Sequence, residues 1–107
     1  MKRGDLVTAV IPGDYGKPRP ALVVQSDAFA EMPSLTVLPL TSNLQPVPLV
    51  RITVEPSQAN GLARRSQIMI DKVVTVSLRK IGPQIGRLED DTLRVAGVAL
   101  ARFLGLM

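Results

Sequence analysis

The chain has 107 residues with 46% hydrophobic but only 3% aromatic content, and 13 Lys and Arg against 9 Asp and Glu. That length suits one compact domain with a single core, built here from Val, Leu, Ile, Ala and Met. The absence of His, Cys and Trp excludes disulfides, thiolate metal sites and imidazole acid–base chemistry.

In chain order the pattern predicts short strands and one terminal helix. Met1-Lys2-Arg3 is followed by Gly4-Asp5 and no apolar leader. No signal peptide is therefore expected, and a cytoplasmic location fits. No apolar run approaches the roughly 18 residues of a membrane span. Leu6–Ile11 is a β-rich run ended by Pro12-Gly13. Ala21–Val24 is apolar throughout, as in a strand buried on both faces. Asp27–Glu31 reads as one helical turn, with Ser26 or Asp27 as N-cap. Leu35–Leu40 is the next strand. In Leu49–Val54 the residues Val50, Ile52 and Val54 alternate with Leu49, Arg51 and Thr53.

Glu55–Arg65 reads as a loop with the turn signal Asn60-Gly61. Gln67–Ile70 and Val73–Val76 are strand, broken or bent at Asp71-Lys72. Ser77–Lys80 is a turn, and Gln84–Leu88 is a last short strand. The period then changes. Leu93, Ala96, Leu100 and Phe103 share one helical face, and Asp90 or Asp91 caps that helix and meets its positive dipole end. Five to seven short strands with little helix predict a mainly β fold, either a small barrel or a strongly bent sheet. The C-terminal helix is expected to cover an open end or face.

Charge is uneven. Residues 1–50 carry four basic and four acidic side chains, whereas residues 51–107 carry nine and five. The excess lies between Arg51 and Arg87 and favours an anionic partner, either nucleic acid or an acidic protein.

Two polar loop–strand segments carry most of the side chains suited to chemistry. The first is Gly13-Asp14-Tyr15-Gly16-Lys17-Pro18-Arg19-Pro20-Ala21-Leu22-Val23-Val24, and the second is Pro39-Leu40-Thr41-Ser42-Asn43. Strand pairing can bring their Arg, Thr and Ser to one cleft. Lys17-Pro18-Arg19-Pro20-Ala21-Leu22-Val23-Val24-Gln25-Ser26 resembles the "RPxLVLS" strand of the MazF/PemK (Kid) toxins of type II toxin–antitoxin systems. Pro39-Leu40-Thr41-Ser42 resembles their "PxTS" strand end. Arg3-Gly4-Asp5-Leu6-Val7 is similar to their opening "GD" strand. Gly61-Leu62, Ser66 and Asp71-Lys72-Val73 are similar to their "GL…S…DQ" stretch, and Gly86-Arg87-Leu88 precedes a closing helix as in that family. The resemblance runs in order from Lys2 to Leu106.

The resemblance implies a plasmid-maintenance, SH3-like barrel with a C-terminal helix over residues 1–107, a homodimer, and cleavage of single-stranded RNA at specific sequences without metal or cofactor. It also implies an acidic antitoxin whose disordered tail occupies the RNA groove. Cleavage of this kind uses the neighbouring 2′-hydroxyl as nucleophile. The protein must take that proton, stabilise a dianionic phosphorane and see the leaving 5′-oxygen protonated. The family's catalytic Arg and Thr carry over onto Arg19 and Thr41. The Arg19 fork suits two phosphate oxygens, but its pKa makes it a poor base. Asp71 or Asp14 is the candidate base. Ser42, Lys17, Arg64, Arg65 and Ser66 are candidate phosphate or substrate contacts. Tyr15 is the candidate stacking platform, and Asn43, Gln45 and Gln67 are candidate readers of base edges.

Two departures mark this chain. The arginine that the Kid branch places two residues before its acid is Met69 here, and the Gln after the acid is Lys72. A gyrase-targeting toxin of the CcdB kind on the same fold, or a non-catalytic RNA-binding module, is the alternative.

Overall fold

The computed structural model describes the whole chain, Met1–Met107. Strands β1 (Asp5–Val10), β2 (Pro18–Val23), β3 (Ser34–Thr41), β4 (Arg51–Val54), β5 (Ser66–Met69), β6 (Val74–Ser77) and β7 (Ile81–Arg87) precede one α-helix, α1 (Asp90–Phe103). The sheet order is β4-β5-β3-β2-β1-β7, with β6 also on β3. Every pairing is antiparallel. One edge of β3 takes β2. Its other edge pairs with β6 over Ser34–Val37 and with β5 at Leu40 and Thr41. Beta5 and β6 are thus one strand interrupted by a 3₁₀ turn at Ile70–Lys72, the break expected at Asp71-Lys72.

No strand pairing joins β4 to β7, so the sheet is strongly bent and open. The segment between β4 and β5 bridges the gap. Its Ala59 carbonyl accepts from the Arg87 N–H at 2.8 Å. The approach is backbone against backbone and needs glycine on both sides. A Cβ on Gly86 would strike Asn60 and Ala59, and one on Gly61, which also sits at φ +68, would strike the Ile85 carbonyl. The polar ends of the chain's first and last strands meet as well. Asp5, 7% exposed, pairs with Arg87 at 3.1 Å.

The core differs from the single one expected. Because β1, β2 and β3 are covered on both faces, period-2 alternation sorts their apolar residues into two clusters. Leu6, Leu22, Leu38, Leu40, Ile68, Ile70, Leu88 and Ala96 belong to the larger, on the helix side. Val7, Ala9, Ala21, Val23, Leu35 and Val37 form the smaller. Each fully buried Leu or Val is worth about 1.5–3 kcal/mol. This two-sided burial explains the unbroken apolar run at Ala21–Val24.

Element limits shift at several points. Strand β2 begins at Pro18 because its ladder with β1 continues through Ala9↔Arg19 to Val10↔Pro18. Strand β4 begins at Arg51, since Val50 N–H donates to the Val47 carbonyl at 3.1 Å and closes a turn. Strand β7 begins at Ile81, ahead of the expected Gln84. Ser26 caps the Asp27–Phe29 turn through its side chain. The N-cap of α1 is Glu89, not Asp90 or Asp91, which instead fill the first turn and still face the positive dipole end. Leu93 and Leu100 pack on the core around buried Ala96. Phe103, at the far end of that face, is 48% exposed. No helix is long and apolar enough to cross a membrane.

Candidate active site

The β2–β3 register explains why two segments some twenty residues apart converge. Ala21 lies opposite Pro39, Leu22 opposite Leu38, and Val23 opposite Val37. Continuing that register by two residues, on the same face as Ala21 and Pro39, sets Arg19 against Thr41. The ladder itself stops at Ala21–Pro39. Pro20 and Pro39 have no N–H to offer, so the strand ends part and leave a gap in place of further hydrogen bonds.

That gap is a cleft of about 510 Å³. Arg19, Thr41, Ser42, Asn43, Arg64 and Asp14 all line it. Arg19 Nε lies 3.6 Å from Asp14 Oδ2, with the arginine side chain 49% exposed. Such an exposed, loose pair is weak. Its shortest approach is through Nε, and Arg19 remains among the residues lining the cleft. The Thr41 hydroxyl oxygen accepts from the Asn43 N–H at 3.1 Å, which fixes the oxygen while its proton stays free to be donated. Ser42 is exposed. The cleft therefore offers a bidentate cation, two hydroxyl donors, a second cation and one carboxylate, an arrangement suited to a phosphodiester with developing negative charge.

The remaining sequence candidates lie elsewhere or are engaged internally. Ser66 lines the cleft, but its hydroxyl donates to the Arg64 carbonyl at 2.9 Å. Arg65 turns away to Glu55 at 2.8 Å. Gln67 is 7% exposed. Its Oε1 accepts from Gln45 N–H, and its Nε2 donates to the Gln45 carbonyl and to Thr53 Oγ1. Gln67 thus pins the loop carrying Ser42 and Asn43. Asp71 sits on the Ile70–Lys72 turn, 3.8 Å from Lys72 Nζ, and its Oδ1 is buried without a partner. It is not among the cleft-lining residues, whereas Met69 is. Tyr15 and Lys17 are not among them either. Tyr15 lies in the left-handed region at φ 54 and is 98% exposed.

Some contributors had no individual sequence signal. Arg51 reaches the Asn43 carbonyl and Gln67 Oε1, both at 3.4 Å, and steadies the same loop. Asn60, in sequence one half of a turn signal, is fully buried and holds the segment that brings Leu62, Ala63 and Arg64 to the cleft. Its side chain meets Glu89 Oε1 at 3.4 Å. The Glu89 carboxyl is held below its ordinary 4.5, first by the Ser57 hydroxyl at 2.6 Å, then by its own backbone N–H, with a smaller effect from Asn60.

Comparison with known proteins follows the same lines. Residues 2–104 match the family described as PemK-like, MazF-like toxin of type II toxin–antitoxin system. The chain is 44% identical over 107 residues to the probable endoribonuclease MazF of Mycolicibacterium smegmatis, covering 99% of this chain and 98% of that one. It is 27% identical to the endoribonuclease EndoA of Bacillus subtilis, covering 100% of this chain and 97% of that one. Its fold superposes with TM-score 0.83 and 22% identity on a mycobacterial endoribonuclease solved with its cognate antitoxin, over 100% of this chain and 97% of the other.

Proposed function

The chain belongs to the PemK-like, MazF-like toxins of type II toxin–antitoxin systems, and from that premise we propose that it is an endoribonuclease acting on single-stranded RNA. The observation that carries the reading is the cleft at the end of the β2–β3 ladder, where Arg19 and Thr41 converge.

In the proposed reaction the 2′-oxygen attacks the adjacent phosphorus and the bond to the 5′-oxygen breaks, leaving a cyclic 2′,3′-phosphate and a 5′-hydroxyl. The terminal nitrogens of Arg19 bind the equatorial oxygens as charge builds, and Thr41 and Ser42 donate to the same oxygens. Asp14 takes the 2′-hydroxyl proton. It lies beside Arg19, and a phosphate bound to the arginine frees its carboxylate. Solvent protonates the leaving 5′-oxygen in a cleft open enough to leave Arg19 half exposed. Asp71 is the second candidate base. Arg64 binds a flanking phosphate, with Arg65, Lys17 and Ser66 as further contacts. Asn43 is proposed to read a base edge, Gln67 to orient that reader by holding its loop, and Tyr15 to stack a base outside the Arg19 cleft. Met69 supplies no charge where the Kid branch has arginine, so Arg19 and Arg64 carry the electrostatic work. The reaction as written uses side chains and solvent.

The proposal extends to assembly. The 107 residues act as one toxin domain in the cytoplasm. A homodimer is supported by an apolar groove along α1 that Val95, Val98 and Phe103 line together with Leu49, all four more than a third exposed. A net charge of +4 suits an acidic, largely disordered antitoxin tail, with affinity that falls as salt rises.

The test is cleavage of a long single-stranded RNA in EDTA, with product ends mapped. Wild type should cut at one short recurring sequence, and Arg19→Ala should lower the rate by about 10²-fold or more. Loss of cleavage in Asp14→Asn but not Asp71→Asn identifies the base, and the reverse result moves it to Asp71. Folded wild-type protein that leaves the RNA intact would refute the proposal and favour a binding role.

A further inference from the structure

The loop between β1 and β2 has two sides. Asp14 lines the Arg19 cleft, while its neighbours Gly13, Tyr15 and Gly16 line a second cleft of about 730 Å³. The other wall of that cleft comes from β6 and the 3₁₀ turn after it, through Thr75, Ser77 and Lys80. No carboxylate lines it. From Lys72 to Leu88 the chain carries four cations, Lys72, Arg79, Lys80 and Arg87, and no acid. The nucleolytic cleft therefore does not absorb the basic excess of the C-terminal half.

Tyr15 is the feature that decides what this cleft takes. A non-glycine residue at φ 54 is an uncommon backbone state that costs free energy. Here the outcome is a ring left 98% exposed, with no hydrophobic gain in return. Glycines at φ 93 and φ 77 flank it at positions 13 and 16, so the loop turns sharply enough to put successive residues on opposite sides. An exposed aromatic and a lysine lining one acid-free groove have the two elements of single-strand nucleic acid binding: a stacking face and a charge for the backbone.

We propose that the loop is a saddle. RNA held at Arg19 crosses it, stacks a flanking base on Tyr15 and lays the next phosphate against Lys80. This rests on the ribonuclease reading of the first cleft and extends the bound strand beyond the cut. Because every base offers a π-face, the second subsite contributes affinity with little sequence preference.

The chain contains one Tyr and no Trp, so its tyrosine fluorescence reports on Tyr15 alone. The probe is 2′-O-methyl oligoadenylate, which cannot undergo 2′-hydroxyl attack, at about 4 and about 12 nucleotides, the site-size range of single-strand binders. The longer probe should quench the emission. Tyr15→Ala should weaken its binding about 5- to 10-fold, the low end for stacking on an open surface, and Tyr15→Phe should restore it. Lys80→Ala should lower the salt slope by about 0.7. The shorter probe, filling the Arg19 cleft alone, should bind these variants as it binds wild type. Unchanged emission with bound long probe, or equal weakening of both probes, overturns the saddle. Either result can accompany full cleavage by wild type, which would leave the ribonuclease reading standing. Quenching in a wild type that does not cleave would support the second subsite and sink the first proposal.

Discussion

Replacing Asn60 by alanine tests how the open sheet is held closed. Asn60 is 0% exposed. Its Oδ1 accepts from the N–H groups of Ser57 and Leu62, both at 3.0 Å, and its Nδ2 donates to the Glu55 carbonyl at 2.9 Å. A longer contact reaches Glu89 at 3.4 Å. The short bonds are worth roughly 0.5–1.5 kcal/mol each, and alanine also strands two backbone donors, so the loss should be about 3 kcal/mol. For a domain of this size 1 kcal/mol moves Tm by roughly 4–8 °C, which predicts a fall of about 12 °C or more. Thermal and urea unfolding should be followed at fixed protein concentration, since dimerisation would make Tm concentration-dependent. Asn60→Asp keeps the oxygen that accepts from both N–H groups but turns a second carboxylate oxygen toward Glu89 and the Glu55 carbonyl, so it should rescue little. A fall of less than about 3 °C in Asn60→Ala would show that the loop is held by something other than this side chain.

Glu89 has a carboxyl held below its ordinary 4.5, so its stabilising contribution is present above that value and is lost as pH falls through the lowered one. The Tm advantage of wild type over Glu89→Gln should therefore shrink as pH falls from above 4.5 through the lowered value; an advantage that grew toward acid would contradict the assignment. Val98→Asp places a charge in the apolar groove beside Val95 and Phe103, and should give a folded monomer by sedimentation at micromolar concentration. A retained dimer would locate the interface elsewhere.

The strands were legible because two-sided burial writes itself as unbroken Val, Leu and Ala, and because Pro, Gly and Asn mark the turns. The bend at Asp71-Lys72 was legible for the same reason, polar residues interrupting an apolar run. Arg19 and Thr41 were also visible as candidates, since each lies in a compact local motif. The sequence could not show that these motifs share a cleft. That follows from the pairing of Ala21 with Pro39, a long-range register set by both core clusters together. Nor could it separate Asp14 from Asp71, or assign Gln67 to a loop clamp and Arg65 to Glu55, because side-chain partners depend on what the fold brings alongside. Asn60 is the clearest case. An Asn-Gly pair signals a turn wherever it occurs, but only the approach of β7 and the start of α1 buries that asparagine and saturates its hydrogen bonds. Local chemistry determined which segments are strand, turn or helix and which residues are fit for phosphate chemistry. Tertiary packing decided which of them meet, because a contact between distant residues is a property of the closed core and of no single stretch of chain.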